Sequence, residues 1–536
     1  MTGALPDAVP GVPGRRTSSR LGAAIFGAAF AALYAFGMPG YGIPGFPFVA
    51  LVPLIALSLS SESARDAAFR GLLAGTAANV LLFYWIAYTL AVPGKLGWIL
   101  GGIGALLVSA YVAIYVSAAS WAAFRLAARF GERGIWVFPV AWVGLEYARS
   151  VLISGFPWLL LGYGLSDSPY LRQAADLAGV PGLGFLLALS SAALYRAVTL
   201  MARRSWHACA APAAVVLAVP AFLLAYGAWR NAPADGPPAA SRFRVVVAQG
   251  GIDQSVKWDP AFQQRTIDIY RTLTREASAQ GAEVVVWPET AAPFFYGWEA
   301  DLSRQVDQIA TDAGVPVIFG APWFDPSDGG KYYNSVFLVD GEGVPRGRYD
   351  KRHLVPFGEY IPLRPVLFFL QKLTAGAGDF SAGTGPALFR VGGSAAGASI
   401  CYEALFPGII RESVREGAGW LVNVTNDAWF GDTAAPWQHL AMARMRSVEF
   451  RRPMVRAANT GVSAVIDATG ASTAELGLFR RGTLAAEVRP GSGETVYAKT
   501  GDIFEISCAI LAFLITFAPL RGRDGHWTFG GKSLRP

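Results

Sequence analysis

A chain of 536 residues that is 53% hydrophobic and only 15% charged, with a positive mean hydropathy, is too apolar to be a single soluble globule. Its net charge of +7 comes from arginine-rich clusters at the ends of apolar runs rather than from one basic face, which argues against a nucleic-acid partner. What remains is a membrane-embedded protein with a soluble part attached.

Apolar runs long enough to cross a bilayer occur near 21 to 38, 42 to 60, 71 to 92, 97 to 118, 134 to 151, 180 to 200 and 209 to 228, and once more near 503 to 520. Residues 1–230 are therefore expected to hold seven spans, and 503–520 a C-terminal eighth. Arg15, Arg16 and Arg20 precede the first run, so the positive-inside rule puts the N-terminus in the cytoplasm. Arg65, Arg70, Arg125, Arg129, Arg133, Arg203 and Arg204 fall on the same side; the opposite loops and span ends carry little beyond Lys95, Arg149 and Arg172. That count leaves residues 240–500 outside the cytoplasm and returns the tail, 521–536, to it. The early Arg-Arg pair lacks the continuation of a twin-arginine export signal, so a retained first helix is expected. Glu146 and Arg149, near one span's outer end, read equally as a headgroup contact or a helix-end pair.

After the linker NAPADGPPAA, 231 to 240, the texture changes. The β-branched runs FRVVVAQG, 243 to 250, and AEVVVWPE, 282 to 289, read as buried strands around a polar helical stretch from Asp259 to about Gln280. Helical texture from Trp298 to Ala313 leads to strand-like runs at 315 to 321, 332 to 340, 387 to 391, 397 to 401 and 419 to 427. A helix over 436 to 451 follows, and PMVRAAN and VSAVIDA close the series. Strands alternating with helices, each strand apolar over most of its length, predict an α/β fold with helix-covered sheets.

Three segment ends in this domain carry reactive groups: Glu289 ends VVVWPE, Lys351 ends VPRGRYDK and Cys401 ends GASIC. Cys209 and Cys508 fall in expected spans, so Cys401 has no partner for a disulfide within the domain. A nucleophilic thiol needs a base or a cation nearby. His353 and His439 are the domain's only histidines, which leaves a Cys-His arrangement possible but not favoured. A desolvated carboxylate, Glu289, can serve as the base, and the Lys351 ammonium with the Tyr402 N–H can hold an oxyanion. Singly, each has a plainer reading: Glu289 as a helix N-terminal carboxylate, Lys351 as a solvated charge among Arg346, Arg348 and Arg352, Glu359 as an arginine's partner, Cys401 as a small core residue. The ordered set of three favours chemistry.

WPET with Glu289, YDKRHLVPFGEYIP with Lys351 and Glu359, and SICYEALFP with Cys401 resemble the three catalytic blocks of the nitrilase, or carbon-nitrogen hydrolase, superfamily. With the spans and the wording of the last two blocks, the chain resembles a narrower family, the bacterial apolipoprotein N-acyltransferases. The resemblance implies an αββα sandwich for residues 240–500. It implies transfer of an acyl chain from phospholipid to the α-amino group of an apolipoprotein's diacylglyceryl-cysteine through a thioester, with Glu289 as base, Lys351 as oxyanion-stabilising cation and Cys401 as nucleophile. Glu359 resembles a second glutamate that orients the lysine or assists proton transfer, and Tyr402, Glu403 and Trp258 in QSVKWDP match further positions the family needs. The expectation is a monomer without metal or cofactor in a bacterial inner membrane, its catalytic domain on the periplasmic side. Competing readings are a tethered hydrolase of small amides and a non-catalytic lipid-binding scaffold. The run PVLFFLQKL, 365 to 373, with Phe368 and Phe369, reads as a membrane-dipping arm or as an ordinary core helix. The aromatic stretches PFFYGW and APWF are candidates for an acyl pocket.

Overall fold

The computed structural model describes residues 19–232, 242–360 and 380–517, with three short strands at Leu520–Arg521, Trp527–Phe529 and Lys532–Ser533. The expected arm with Phe368 and Phe369, nearly all of the 231–240 linker and most of the tail lie outside the described residues. The described residues form two compact units, divided at 87/88, 101/102, 228/229 and 501/502.

Helices α1 (Arg20–Phe36), α2 (Phe46–Val49), α3 (Val52–Leu59), α4 (Ala64–Phe83), α5 (Trp85–Ala91), α6 (Gly97–Phe130), α7 (Phe138–Val151), α8 (Ala175–Ala202) and α9 (Trp206–Asn231) cover the N-terminal apolar runs. Three helical stretches, Gly97–Ser154, Leu171–Ala202 and Trp206–Asn231, are long and apolar enough to cross a membrane, and α4 with α5, bent by 61°, makes a fourth if counted as one. The chain is a membrane protein. Arg20–Phe36, Phe46–Leu59 and the C-terminal Ile503–Phe517 are shorter apolar helices. Glu146 and Arg149 of α7 also bond the backbone that follows the helix: Glu146 Oε1 accepts from Leu161 N at 2.7 Å and Arg149 donates to Trp158 O at 3.3 Å. They satisfy backbone groups beyond the end of α7, which apolar surroundings would otherwise leave unpaired.

The second unit holds two six-stranded sheets. Strands β1 (Phe243–Gln249), β2 (Val284–Val286), β3 (Val317–Asp325), β4 (Lys331–Val339) and β5 (Pro345–Asp350) join β12 (Gly482–Val488) in the order β12-β1-β2-β3-β4-β5. Strands β6 (Leu388–Val391), β7 (Ser394–Ile400), β8 (Trp420–Thr425), β9 (Met454–Ala458), β10 (Ser463–Ile466) and β11 (Ser472–Leu476) form the other, in the order β11-β10-β9-β8-β7-β6. At each centre the strands run parallel, β1 with β2 and β3 in one sheet, β7 with β8 and β9 in the other. Parallel strands covered on both faces need apolar residues at nearly every position, and β2 and β8 are buried throughout.

Alternation along each strand sorts the side chains into layers. Val245 and Val247 of β1 face Trp420, Val422 and Val424 of β8 in the inter-sheet core, whereas Val246 and Ala248 meet Ile267, Tyr270 and Leu273 of α10 (Pro260–Ala279). Helix α11 (Ala300–Ala313) covers the same outer face through Val306 and Ile309; α12 (Pro407–Arg415) and α13 (Ala435–Phe450) cover the other sheet through Ile410, Val414 and Leu440. The result is an αββα sandwich, the expected nitrilase-like architecture. The elements missing from the sequence reading are peripheral: α12 is nine residues long, and β11 and β12 are half-exposed edge strands without a continuous apolar run.

Candidate active site

Glu289 lies three residues beyond β2, Lys351 directly after β5 and Cys401 directly after β7, so both sheets deliver their groups from strand carboxyl ends. Each delivering loop carries a residue in the left-handed region: Thr290 at φ 46°, Phe357 at 62° and Cys401 itself at 52°. Such conformations are costly for side-chain-bearing residues and persist where surrounding contacts over-determine them. At Glu289 one such contact is Gly320 of β3, where a Cβ would sit 2.5 Å from Thr290 N and 2.7 Å from Glu289 Cα. Only glycine lets the Glu289 loop lie that close.

Lys351 is 1% exposed, and its Nζ lies 2.9 Å from Glu359 Oε1, 2.8 Å from Oε2 and 3.9 Å from Glu289 Oε1. Burial opposes the ammonium, but the charges of Glu359 and Glu289 together outweigh it and hold Lys351 protonated well above the usual lysine range. Asn334 of β4 ties the carboxylates together, its Nδ2 donating to Glu289 Oε1 at 2.8 Å and Glu359 Oε1 at 3.0 Å. Glu359 therefore pairs with the lysine, not with an arginine.

Cys401 opens a short 3₁₀ turn to Leu405 and is partly exposed. Enclosure and the neighbouring Glu289 charge push its thiol up to about 12, against the pull of Lys351. Glu403 is fully buried and gathers four donors: Tyr349 Oη and Ile400 N on Oε2 at 2.9 and 2.7 Å, Arg352 N and His353 N on Oε1 at 2.6 and 3.0 Å. One carboxylate thus pins the Cys401 turn to the backbone beside Lys351. Tyr402 packs its ring on Phe406, and His353 stacks on the same ring with centroids 3.6 Å apart. Trp258, half exposed, stands on the loop before α10. Its neighbour Lys257 is buried and donates from Nζ to Glu289 O at 3.0 Å.

Beneath the cysteine lies a cluster not anticipated from sequence. His439 of α13 has Nε2 3.1 Å from Cys401 O and Nδ1 3.0 Å from both Asp427 Oδ1 and an Arg456 Nη, which also donates to Asp427 Oδ2 at 2.9 Å. A carbonyl only accepts, so Nε2 carries a proton, and Nδ1 sits between the Asp427 carboxylate, which only accepts, and the Arg456 guanidinium, which only donates. Burial and the Arg456 charge lower the His439 pKa, against the pull of the Asp427 carboxylate. The histidine holds the Cys401 main chain rather than taking its proton. Cys401, Asp427 and His439 offer one sulfur, one oxygen and one nitrogen within 4.8 Å of one another, a donor set zinc accepts. The Arg456 guanidinium, hydrogen-bonded to two of the three residues, opposes a cation there.

Burial raises the Asp427 carboxyl, yet Arg456 and His439 overcome it and hold its pKa down to about 2. A depressed carboxylate stabilises the fold above its unfolded pKa of about 3.9, and that contribution is lost as pH falls toward the folded value. The thermal midpoint of detergent-solubilised protein should therefore fall between about pH 4 and pH 2 more steeply in wild type than in Asp427→Asn. Equal slopes would show that Asp427 carries no such linkage.

Residues 244–497 match the carbon-nitrogen hydrolase family, and residues 30–193 match the apolipoprotein N-acyltransferase N-terminal domain. The chain is 41% identical over 503 residues to the apolipoprotein N-acyltransferase of Geobacter metallireducens, covering 92% of this chain and 94% of the relative. It is 41% identical over 405 residues to that of Methylococcus capsulatus, covering 75% and 77%. Among solved structures, an amidase from Nesterenkonia sp. aligns at 22% identity over 46% of this chain and 91% of the amidase, with a TM-score of 0.37.

Proposed function

The chain belongs to the apolipoprotein N-acyltransferase family, and from that premise we propose that it transfers a fatty acyl chain from phospholipid to the α-amino group of a lipoprotein's N-terminal diacylglyceryl-cysteine, through a thioester on Cys401. The observation that supports this most is the convergence of Glu289, Lys351 and Cys401 in a chain that also spans the membrane.

In the first half-reaction Glu289 takes the thiol proton and Sγ attacks the ester carbonyl of the donor. The oxyanion meets Lys351 and the Tyr402 N–H. Collapse breaks the carbon-oxygen bond, and the proton on Glu289 leaves with the lysophospholipid. In the second half the acceptor amine attacks the thioester, gives a proton to Glu289, and the tetrahedral intermediate expels Sγ, which recovers that proton. Glu359 and Asn334 keep Lys351 and Glu289 oriented throughout. Eight spans, with residues 240–500 on the periplasmic side, would bring the site to both lipid substrates; the arginine clusters support that orientation.

Intact-protein mass spectrometry on enzyme mixed with phospholipid tests the reading. Wild type should gain one acyl chain, released by hydroxylamine and discharged by a diacylated lipopeptide; Cys401→Ser should gain none. A folded wild-type protein that takes no acyl chain sinks the transferase reading.

A further inference from the structure

Counting charge in the pocket leaves one lysine unexplained. Glu289 and Glu359 bring two carboxylates, and Lys351 is matched by Glu359, whose oxygens lie 2.8 and 2.9 Å from its Nζ. One negative charge remains. In the proposed first half-reaction that charge moves from Glu289 to Sγ to the oxyanion without leaving the pocket. A charge in so enclosed a site needs a counter-ion.

Lys257 is in the right place. It is 2% exposed, and among the described residues its one hydrogen bond goes to the main-chain oxygen of Glu289, leaving two ammonium protons for further partners. The peptide it holds is the one preceding Thr290 in its left-handed conformation. We propose that Lys257 is the counter-charge and a positioning residue of this active site, anchoring the Glu289 main chain and balancing the negative charge that passes between Glu289, Sγ and the oxyanion. Its part in catalysis rests on the transferase reading; its effect on the thiol does not. Burial pushes the Lys257 pKa down to about 8, against the pull of Glu289 and Cys401. A needed cation with that pKa is charged at neutrality and lost above it, which adds a basic limb to the acylation rate.

The test uses full-length protein in detergent with two probes, iodoacetamide on Cys401, followed on its peptide, and phospholipid in a single turnover. Lys257→Met should slow alkylation about tenfold at neutral pH, the equivalent of raising the thiol by about one unit, and Lys257→Arg should restore it. In acylation, wild type should fall off above about pH 8. Lys257→Arg should carry the fall to higher pH, since a guanidinium stays charged. Wild-type alkylation in Lys257→Met, or an unmoved basic limb in Lys257→Arg, overturns the inference. If Lys257→Met does not fold, the arginine profile decides. If wild type alkylates but takes no acyl chain, the transferase reading has failed, and alkylation alone judges the lysine.

Discussion

Glu289→Gln is expected to slow acyl-thioester formation by about 10² to 10⁴-fold while leaving the protein folded. The amide keeps an oxygen for the Asn334 N–H, so the Asn334 tie between positions 289 and 359 can persist. What is lost is the ability to take a proton. Burial, the largest cause of the raised thiol pKa, remains in the variant, so few molecules carry a thiolate near neutrality without a base. Below about pH 8 the variant should therefore show a rate climbing about tenfold per pH unit as hydroxide takes over, where wild type is nearly flat. Single-turnover acylation followed by intact mass reads both. A variant acylating within a few-fold of wild type would remove Glu289 from the role of base.

The groups legible in the sequence share one feature: each ends a strand or closes a run, where an ionisable side chain interrupts an apolar pattern. Glu289 after VVVWP and Cys401 after GASI stand out for that reason. Asn334 and Lys257 do not. Asn334 sits inside the run YYNSVFLV, and its bridging of two carboxylates depends on β4 lying beside β5, a pairing that local pattern does not encode. Lys257 stands beside the more conspicuous Trp258 in QSVKWDP, and a lysine in a polar loop reads as solvated until the fold buries it against Glu289 O. The Asp427, His439 and Arg456 cluster draws on three elements, and neither its charge state nor its hold on Cys401 O exists before α13 crosses the sheet. The layered architecture was readable from alternation and buried runs, whereas β11 and β12 needed the register that only pairing supplies.

Glu403→Gln should cost more than its size suggests, both in stability and in turnover. Position 403 is one residue beyond the Tyr402 N–H expected at the oxyanion, yet the Glu403 side chain turns inward to accept from four donors on two separate segments. An amide accepts at its oxygen but presents N–H groups on the other side: turned toward Tyr349 Oη, which can accept, it strands Ile400 N, and turned toward Arg352 N and His353 N it strands both. One or two buried backbone donors left unsatisfied predict a loss of about 1 to 5 kcal/mol. The pair that loses its acceptor also decides the catalytic effect: releasing Arg352 and His353 frees the Lys351 loop, and releasing Ile400 frees the strand end that aims Cys401. Either way the cation and the nucleophile lose their shared anchor. Acylation should then fall by at least as much as the thiol's own alkylation by iodoacetamide, because alkylation needs only Cys401 whereas acylation also needs Lys351 in register. Thermal unfolding combined with the two rates separates the effects. A variant with wild-type stability and both rates intact would mean that the four-donor knot is not what holds the halves of the site together.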